Sequence, residues 1–288
     1  MSTSPSSLSD MPAAPASGKR ARIVAVTSGK GGVGKTFTTA NLAAALARRG
    51  LRVLVLDADL GLANLDVVLN LYPKITLHDV FTGKSQLDEA ILSAPGGFSV
   101  LLAGSGLVEY SRLTPEVRED LLKIVETLKP RYDCILLDTG AGISDVVLFA
   151  VSLADEVLVV ATTEPTSLTD AYATMKVLAA QQEREQIHLV INQVSRVGEG
   201  RLVHQQLQQV VDRFVQTQTG RSLKLNFLGD VPMDPSVREA VQKRQLLLEL
   251  LPGSAAAKAV VTIAGRLEGE RGTAGTPATA TPAARAAR

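Results

Sequence analysis

Gly29-Lys30-Gly31-Gly32-Val33-Gly34-Lys35-Thr36 decides how the rest of this chain is read. The stretch follows an apolar run, Ile23-Val24-Ala25-Val26, and precedes residues 38–49, where Leu42, Ala45 and Leu46 recur at helical spacing. Gly29, Gly34, Lys35 and Thr36 stand at the fixed positions of the pattern G-x-x-x-x-G-K-[ST]. Glycines allow a turn tight enough for several backbone N–H groups of the stretch Gly29, Lys30, Gly31, Gly32, Val33, Gly34, Lys35 and Thr36 to point at one phosphate. The helix that opens there adds the positive end of its dipole. Lys35 is placed to neutralise the β- and γ-phosphates, and the Thr36 hydroxyl to ligate Mg²⁺. The spacing predicts a strand, a phosphate-binding loop and a helix, in other words a site for Mg-ATP.

Outward from this loop, short apolar runs alternate with helical patterns. Residues 53–56 read as a fully buried strand, and 98–103, 134–137, 156–161, 188–191 and 225–228 as further strands. Helices are expected at 114–128, with Val117, Leu121, Leu122, Val125 and Leu128 on one side, and at 168–182, 202–215, 236–250 and 255–267. Pro252-Gly253 separates the last two. The alternation implies an α/β fold, a mostly parallel sheet with helices on both faces of the P-loop NTPase type. One ATPase domain is expected at 20–268. Residues 1–19, rich in Ser, Pro and Ala, and 269–288, rich in Ala, Thr, Pro, Gly and Arg, read as disordered tails.

In such sheets ligands bind at the carboxyl ends of the strands. Two acidic motifs fall there. Asp57-Ala58-Asp59 ends the second strand, and carboxylates at i and i+2 beside a phosphate site can hold a metal-bound water or orient an attacking one. Asp57 can equally cap the turn that follows. Asp138-Thr139-Gly140-Ala141-Gly142 ends the strand that begins at Cys134.

Composition narrows the function further. The 288 residues carry 30 basic and 29 acidic side chains, a net charge of +1, which gives no bulk charge for nucleic acid; no direct nucleic-acid partner is expected. No apolar run reaches the roughly 20 residues that span a bilayer. The lone cysteine, Cys134, cannot build an internal disulfide or a multi-cysteine cluster site and points to a reducing, cytoplasmic setting.

Lys30, directly after the first glycine, is not required by an ordinary P-loop. With it, the loop resembles the deviant Walker A motif K-G-G-x-G-K-[ST] of the MinD/ParA family, and the resemblance covers about residues 21–265. It implies an ATPase that forms a homodimer with ATP, in which Lys30 reaches the partner's nucleotide as an arginine finger would. It implies that Asp59 positions the attacking water and, with Thr36 and Asp138, serves the metal. Asp138 resembles the Walker B-like aspartate, and Gly140–Gly142 a mobile switch II. Asn64 resembles a residue near the dimer interface. Asn192 and the loop Val231-Pro232-Met233-Asp234 resemble the adenine-contacting positions, where an amide can read the base edge and a Pro-bearing loop can cover the ring.

Three stretches are more similar to the FlhG type (FleN, YlxH), MinD-like regulators of flagellar number, than to MinD proper: 61–67, 138–144 and above all Thr163-Glu164-Pro165-Thr166-Ser167-Leu168-Thr169-Asp170-Ala171-Tyr172. This implies partners such as an FlhF-type GTPase, a flagellar C-ring protein or a flagellar transcription activator, and peripheral attachment at the inner face of the cell membrane. The first 19 residues contain no Gln, unlike the Gln-bearing helix by which such proteins stimulate FlhF. An apolar face on 246–251 or 255–267 could serve either membrane contact or the core; the core is the stronger expectation. The alternative is a MinD/ParA-type ATPase of division-site selection or DNA and cargo positioning. A cluster carrier would need bridging cysteines, and a small-substrate synthetase a pocket for which no motif is present.

Overall fold

The computed structural model describes residues 20–59, 64–104 and 113–269. The expected tails, apart from Gly269, and residues 61–63 of the FlhG-like stretch lie outside them. In chain order the elements are β1 (Arg22–Ser28), α1 (Lys35–Ala47), β2 (Val53–Ala58), α2 (Leu65–Leu69), α3 (Leu77–Phe81), α4 (Leu87–Ala90), β3 (Ile91–Ser93), β4 (Ser99–Leu101), α5 (Pro115–Leu128), β5 (Cys134–Ala141), α6 (Asp145–Ser152), β6 (Glu156–Thr162), α7 (Pro165–Gln181), β7 (Gln186–Val194), α8 (Glu199–Thr219), β8 (Lys224–Pro232), α9 (Pro235–Gln242), α10 (Leu247–Leu250) and α11 (Ala255–Gly269).

The eight strands form one sheet in the order β3-β4-β2-β5-β1-β6-β7-β8, parallel except for the β3–β4 pair at one edge. Each central strand is apolar on both faces because each face is covered. Ile23, Leu54, Ile135 and Val157 belong to a core shared with α5–α8. Their neighbours Val24, Val55, Leu136 and Leu158 belong to a second core shared with α1, α10 and α11. The chain leaves β1 toward β2 on one side and later returns to β6 on the other. The loop after β1 therefore opens at the point where the strand order reverses, where a crevice forms. At the far edge, α8 and α11 shield β8: the Gln208 amide oxygen on α8 accepts the Leu225 N–H at 2.7 Å, and Arg266 on α11 donates to the Leu228 carbonyl at 2.8 Å.

The fold departs from the expectations in several places. The helix expected over 236–250 is two, α9 and α10, because Arg244 adopts a left-handed backbone (φ 51) that ends α9. On α5, Ile124 is buried while Leu122 is only half-buried. The strand expected at 98–103 shortens to Ser99–Leu101. The apolar face of 246–251 and 255–267 is mostly in the core: Leu246, Leu247 and Leu248 are at most 1% exposed, and Ala256, Val260, Ile263 and Leu267 pack toward α1 and β8, while Val261 is exposed.

Candidate nucleotide site

The loop between β1 and α1 is shaped by three glycines with different duties. Gly34 caps α1 in the left-handed region, φ 88, where a side chain is strained. Gly29 faces the start of α7 so closely that a Cβ would stand 2.2 Å from the Asp170 carbonyl carbon. At Gly31 a Cβ would meet nothing within 4 Å, which leaves the backbone accessible to a ligand. Together these turn the loop over a cleft of about 610 Å³ lined by Lys30, Lys35, Thr36, Asp59, Asn64 and Gly140, among others. Residues from the first loop, the end of β2 and the end of β5 thus meet on one space.

The two lysines of the loop are held differently. Lys35 Nζ lies 3.4 Å from Asp138 Oδ1, and both side chains are largely buried. The Thr39 hydroxyl, one turn into α1, donates to the same oxygen at 2.9 Å. Asp138 therefore fixes Lys35 and the first turn of α1 against β5. Lys30 is exposed and reaches Glu164 Oε2 at 3.2 Å and the Thr166 hydroxyl at 3.0 Å. The FlhG-like stretch accordingly abuts the P-loop at three residues: Asp170 by backbone, Glu164 and Thr166 by side chain.

Asp59 is at the cleft, and a Cβ on Gly140 would lie 3.5 Å from its carboxyl carbon. Asp57 stands opposite Asp138 across the β2–β5 ladder and is 1% exposed. Burial pushes its carboxyl well above the usual range, and the charge of Asp138 pushes the same way. Its Oδ1 accepts the Asp59 N–H at 3.2 Å, which is the turn-capping role expected of it. The segment expected to resemble switch II is anchored behind them: the Thr139 hydroxyl donates to the Val26 carbonyl at 3.1 Å and the Gly142 N–H to the Ser28 carbonyl at 2.8 Å.

The adenine set is divided. Asn192 is buried behind the loop, donating to the Val33 carbonyl at 2.8 Å and accepting the Gln193 N–H at 2.9 Å. Asp234 caps α9 by accepting from Ser236 at 2.9 Å and also takes the Ala256 N–H at 3.0 Å. These bonds, the one from Ala256 foremost, hold its carboxyl below the ordinary value. Pro232 ends β8 opposite Val194, and Met233 beside it is exposed. Neither Asn192 nor the 232–234 loop lines the cleft around Lys35.

The donor set suits a magnesium–nucleotide pair: a hydroxyl at Thr36 and a carboxylate at Asp59 supply hard oxygens beside the open amides of Gly31 and Gly32. Thr39 and the buried side of Asp57 were not singled out by motif, and Glu164 and Thr166 were named only within the FlhG-like stretch and without a role at the site, because these roles depend on contacts between distant segments.

A P-loop at the switch point of a largely parallel sheet defines a class, the P-loop NTPases. A family model described as ParA, NUBPL iron-transfer P-loop NTPase, matches residues 19–268, and the chain belongs to this ParA/MinD family. It is similar to the antiactivator FleN of Pseudomonas aeruginosa, 41% identical over 86% of each chain. It is also similar to the flagellum site-determining protein YlxH of Helicobacter pylori, 31% identical over 85% of this chain and 81% of that one. Among solved structures it resembles the septum site-determining protein MinD of Pyrococcus horikoshii complexed with Mg-ADP (TM-score 0.67, 28% identity, 88% of this chain and 98% of that one). The iron-transfer cargo in the family's description has no matching thiol at a surface of this chain: Cys134, its single cysteine, is 3% exposed inside β5.

Proposed function

We propose that this chain is an ATPase whose ATP-dependent dimerisation switches the number and placement of flagella. The observation that carries the reading is the convergence of Lys30, Lys35, Thr36 and Asp59 on one cleft, in a chain similar to both FleN and YlxH.

In this reading the amides of Gly29–Thr36 cradle the β- and γ-phosphates. Lys35 exchanges its contact with Asp138 for phosphate oxygens. Thr36, Asp59 and Asp138 hold Mg²⁺, directly or through water. When bound, Mg²⁺ neutralises charge on the β- and γ-phosphates. Asp59 orients the water that attacks the γ-phosphorus and takes up its proton, giving ADP and phosphate. Lys30 leaves Glu164 and Thr166 and stabilises the phosphate charge of a second copy. Pro232 and Met233 cover the adenine; Asn192 and Asp234 brace the loops that carry them. Moving the population from 1:99 to 99:1 dimer requires ATP to favour the dimer over ADP by about 5.5 kcal/mol.

Self-association is the first partnership. The word antiactivator in the FleN name supports a transcription activator as the second, with an FlhF-type GTPase or a C-ring protein as the others. Most apolar residues of α10 and α11 are in the core, so peripheral membrane attachment would not rest on their main apolar face.

The test is light scattering after size exclusion on Asp59→Ala, with ADP and then with ATP and Mg²⁺. The mass is expected to double only with ATP. Lys30→Ala is expected to bind ATP yet fail to hydrolyse it. A mass unchanged by ATP, with nucleotide shown to be bound, rejects the switch.

A further inference from the structure

A second cavity, about 410 Å³, lies on the α1 side of the sheet beyond the end of β2, bordered by Asp57, Asp66, Asn70, Tyr72, Leu102 and Arg244. It adjoins the nucleotide cleft through Asp57, two residues before Asp59. Two buried carboxylate oxygens there, Asp57 Oδ2 and Asp66 Oδ1, have no hydrogen-bond partner among the described residues. Asp57 itself is 1% exposed. Orphaned acceptors of this kind are costly, and buried ones in native proteins call for a donor.

The lining limits what that donor can be. Two carboxylates exclude a simple anion. A bare divalent ion is a poor match, since Ca²⁺ or Mg²⁺ takes about six oxygen ligands. The described residues contain no group of three potential metal-ligating side chains. The cavity is also much larger than an ion and has apolar walls at Leu71 and Leu102. An ammonium or guanidinium group meets the need, since it presents several N–H donors and a positive charge. Arg244, on the same lining, would repel a ligand that carried only positive charge. Among the described residues its guanidinium donates one long hydrogen bond, 3.4 Å, to the Tyr72 hydroxyl. It sits in the left-handed region at the end of α9, which fixes its backbone beside the cavity.

We propose that this cavity binds a small zwitterion of the amino-acid class, its cationic end on Asp57 and Asp66 and its carboxylate on Arg244. The site is separate from the phosphate cradle, and the proposal stands whether or not the chain is a flagellar switch. Because Asp57 and Asp59 share one strand end, occupancy and nucleotide state are coupled, and the coupling is reciprocal.

The experiment is isothermal titration of the nucleotide-free full chain with L-arginine, and separately with agmatine, which keeps the guanidinium and amine but lacks the carboxylate. Saturable binding of L-arginine is expected, at least fivefold tighter than agmatine. Asp66→Asn should weaken L-arginine at least tenfold. Arg244→Ala should remove the preference for L-arginine over agmatine while leaving agmatine unchanged or tighter. Unchanged thermal melts show that both variants fold; if Asp66→Asn does not, Asp66→Glu replaces it and should change the affinity of both ligands. The proposal is overturned by the absence of saturable binding, or by binding that neither variant changes, which would mark binding at high concentration only. Equal affinity for agmatine and L-arginine in the unmodified chain overturns the zwitterion assignment.

Discussion

Asp57→Asn is expected to make the nucleotide-free protein more stable, and increasingly so as pH rises. Asp57 is buried, its neighbour across the ladder is Asp138, and among the described residues only one of its oxygens has a partner, the Asp59 N–H. Burial raises its pKa well above 3.8, Asp138 adds to the rise, and the Asp59 N–H and the Lys35 charge only partly oppose it. The folded chain therefore binds this proton more tightly than the unfolded chain. Its contribution is fully present below the unfolded value, and stability declines as pH climbs through the folded value. Asn keeps the shape, still accepts the Asp59 N–H and carries no charge. At pH 8 the gain should be about 1–4 kcal/mol, by analogy with the range seen when buried ion pairs are replaced by uncharged groups of similar volume. In a domain of this size each kcal/mol moves the midpoint by about 2–4 °C. Urea and thermal melts of both proteins without nucleotide, at pH 5 and pH 8, measure the gap. A variant less stable at both values, or a gap that does not widen with pH, refutes the reasoning.

Three other outcomes follow from single contacts. Gly34→Ala places a Cβ 2.3 Å from Asn192 Nδ2 at φ 88, so it should cost about 2–4 kcal/mol and abolish binding of a fluorescent ATP analogue; Asn192→Ala on top should recover part of the stability but not the strain. Glu156 is held at about 2: burial alone would raise it, but hydrogen bonds from His188 and Arg22 outweigh that. The resulting stabilisation, about 3 kcal/mol from a fall of roughly 2.5 units below 4.5, is present above pH 4.5 and lost as pH falls toward 2, and urea midpoints for Glu156→Gln should lack that slope. Glu164→Gln should move the melting midpoint by the equivalent of less than about 1 kcal/mol, yet lower the ATP concentration at which half of the Asp59→Ala protein dimerises, by up to about fivefold.

The phosphate loop was readable because its chemistry is contiguous: glycines, Lys35 and Thr36 act within eight residues, and a strand and a helix frame them. Core helices were readable where two or more turns repeat the apolar spacing. The short helices α2, α3 and α4 were missed because four or five residues contain no period, and α6 because Val146-Val147-Leu148-Phe149-Ala150-Val151 is apolar all round. The sidedness of the acidic pair could have been read. Val53, Val55 and Asp57 alternate onto the α1 face of β2, which buries Asp57, whereas Asp59 lies beyond the strand and lines the cleft. The break at Arg244 carries no glycine or proline to announce it, and the hold of Asn192 on Val33 joins residues 159 apart.

In the proposed switch, the contrast between the two lysines would let one loop both bind nucleotide and respond to a second copy. Lys35 is nearly buried and shares Asp138 with Thr39, so its charge is held beside the phosphate loop by a buried partner. Lys30 rests on Glu164 and Thr166, with 39% of its own side chain and 63% of that of Glu164 exposed. An exposed pair of this kind is worth about 0–1 kcal/mol and weakens with salt. A phosphate presented by a second copy in a closed interface offers a lysine far more, because it is doubly charged and shielded from water. Lys30 can therefore be held out of the way at almost no cost to its later release. A stronger anchor at 164 or 166 would raise the ATP needed for dimerisation. The FlhG-like segment thus places a weak anchor one helical turn from the backbone of Asp170, on which Gly29 rests, so the resting position of the movable lysine and the shape of the phosphate loop are set by the same few residues.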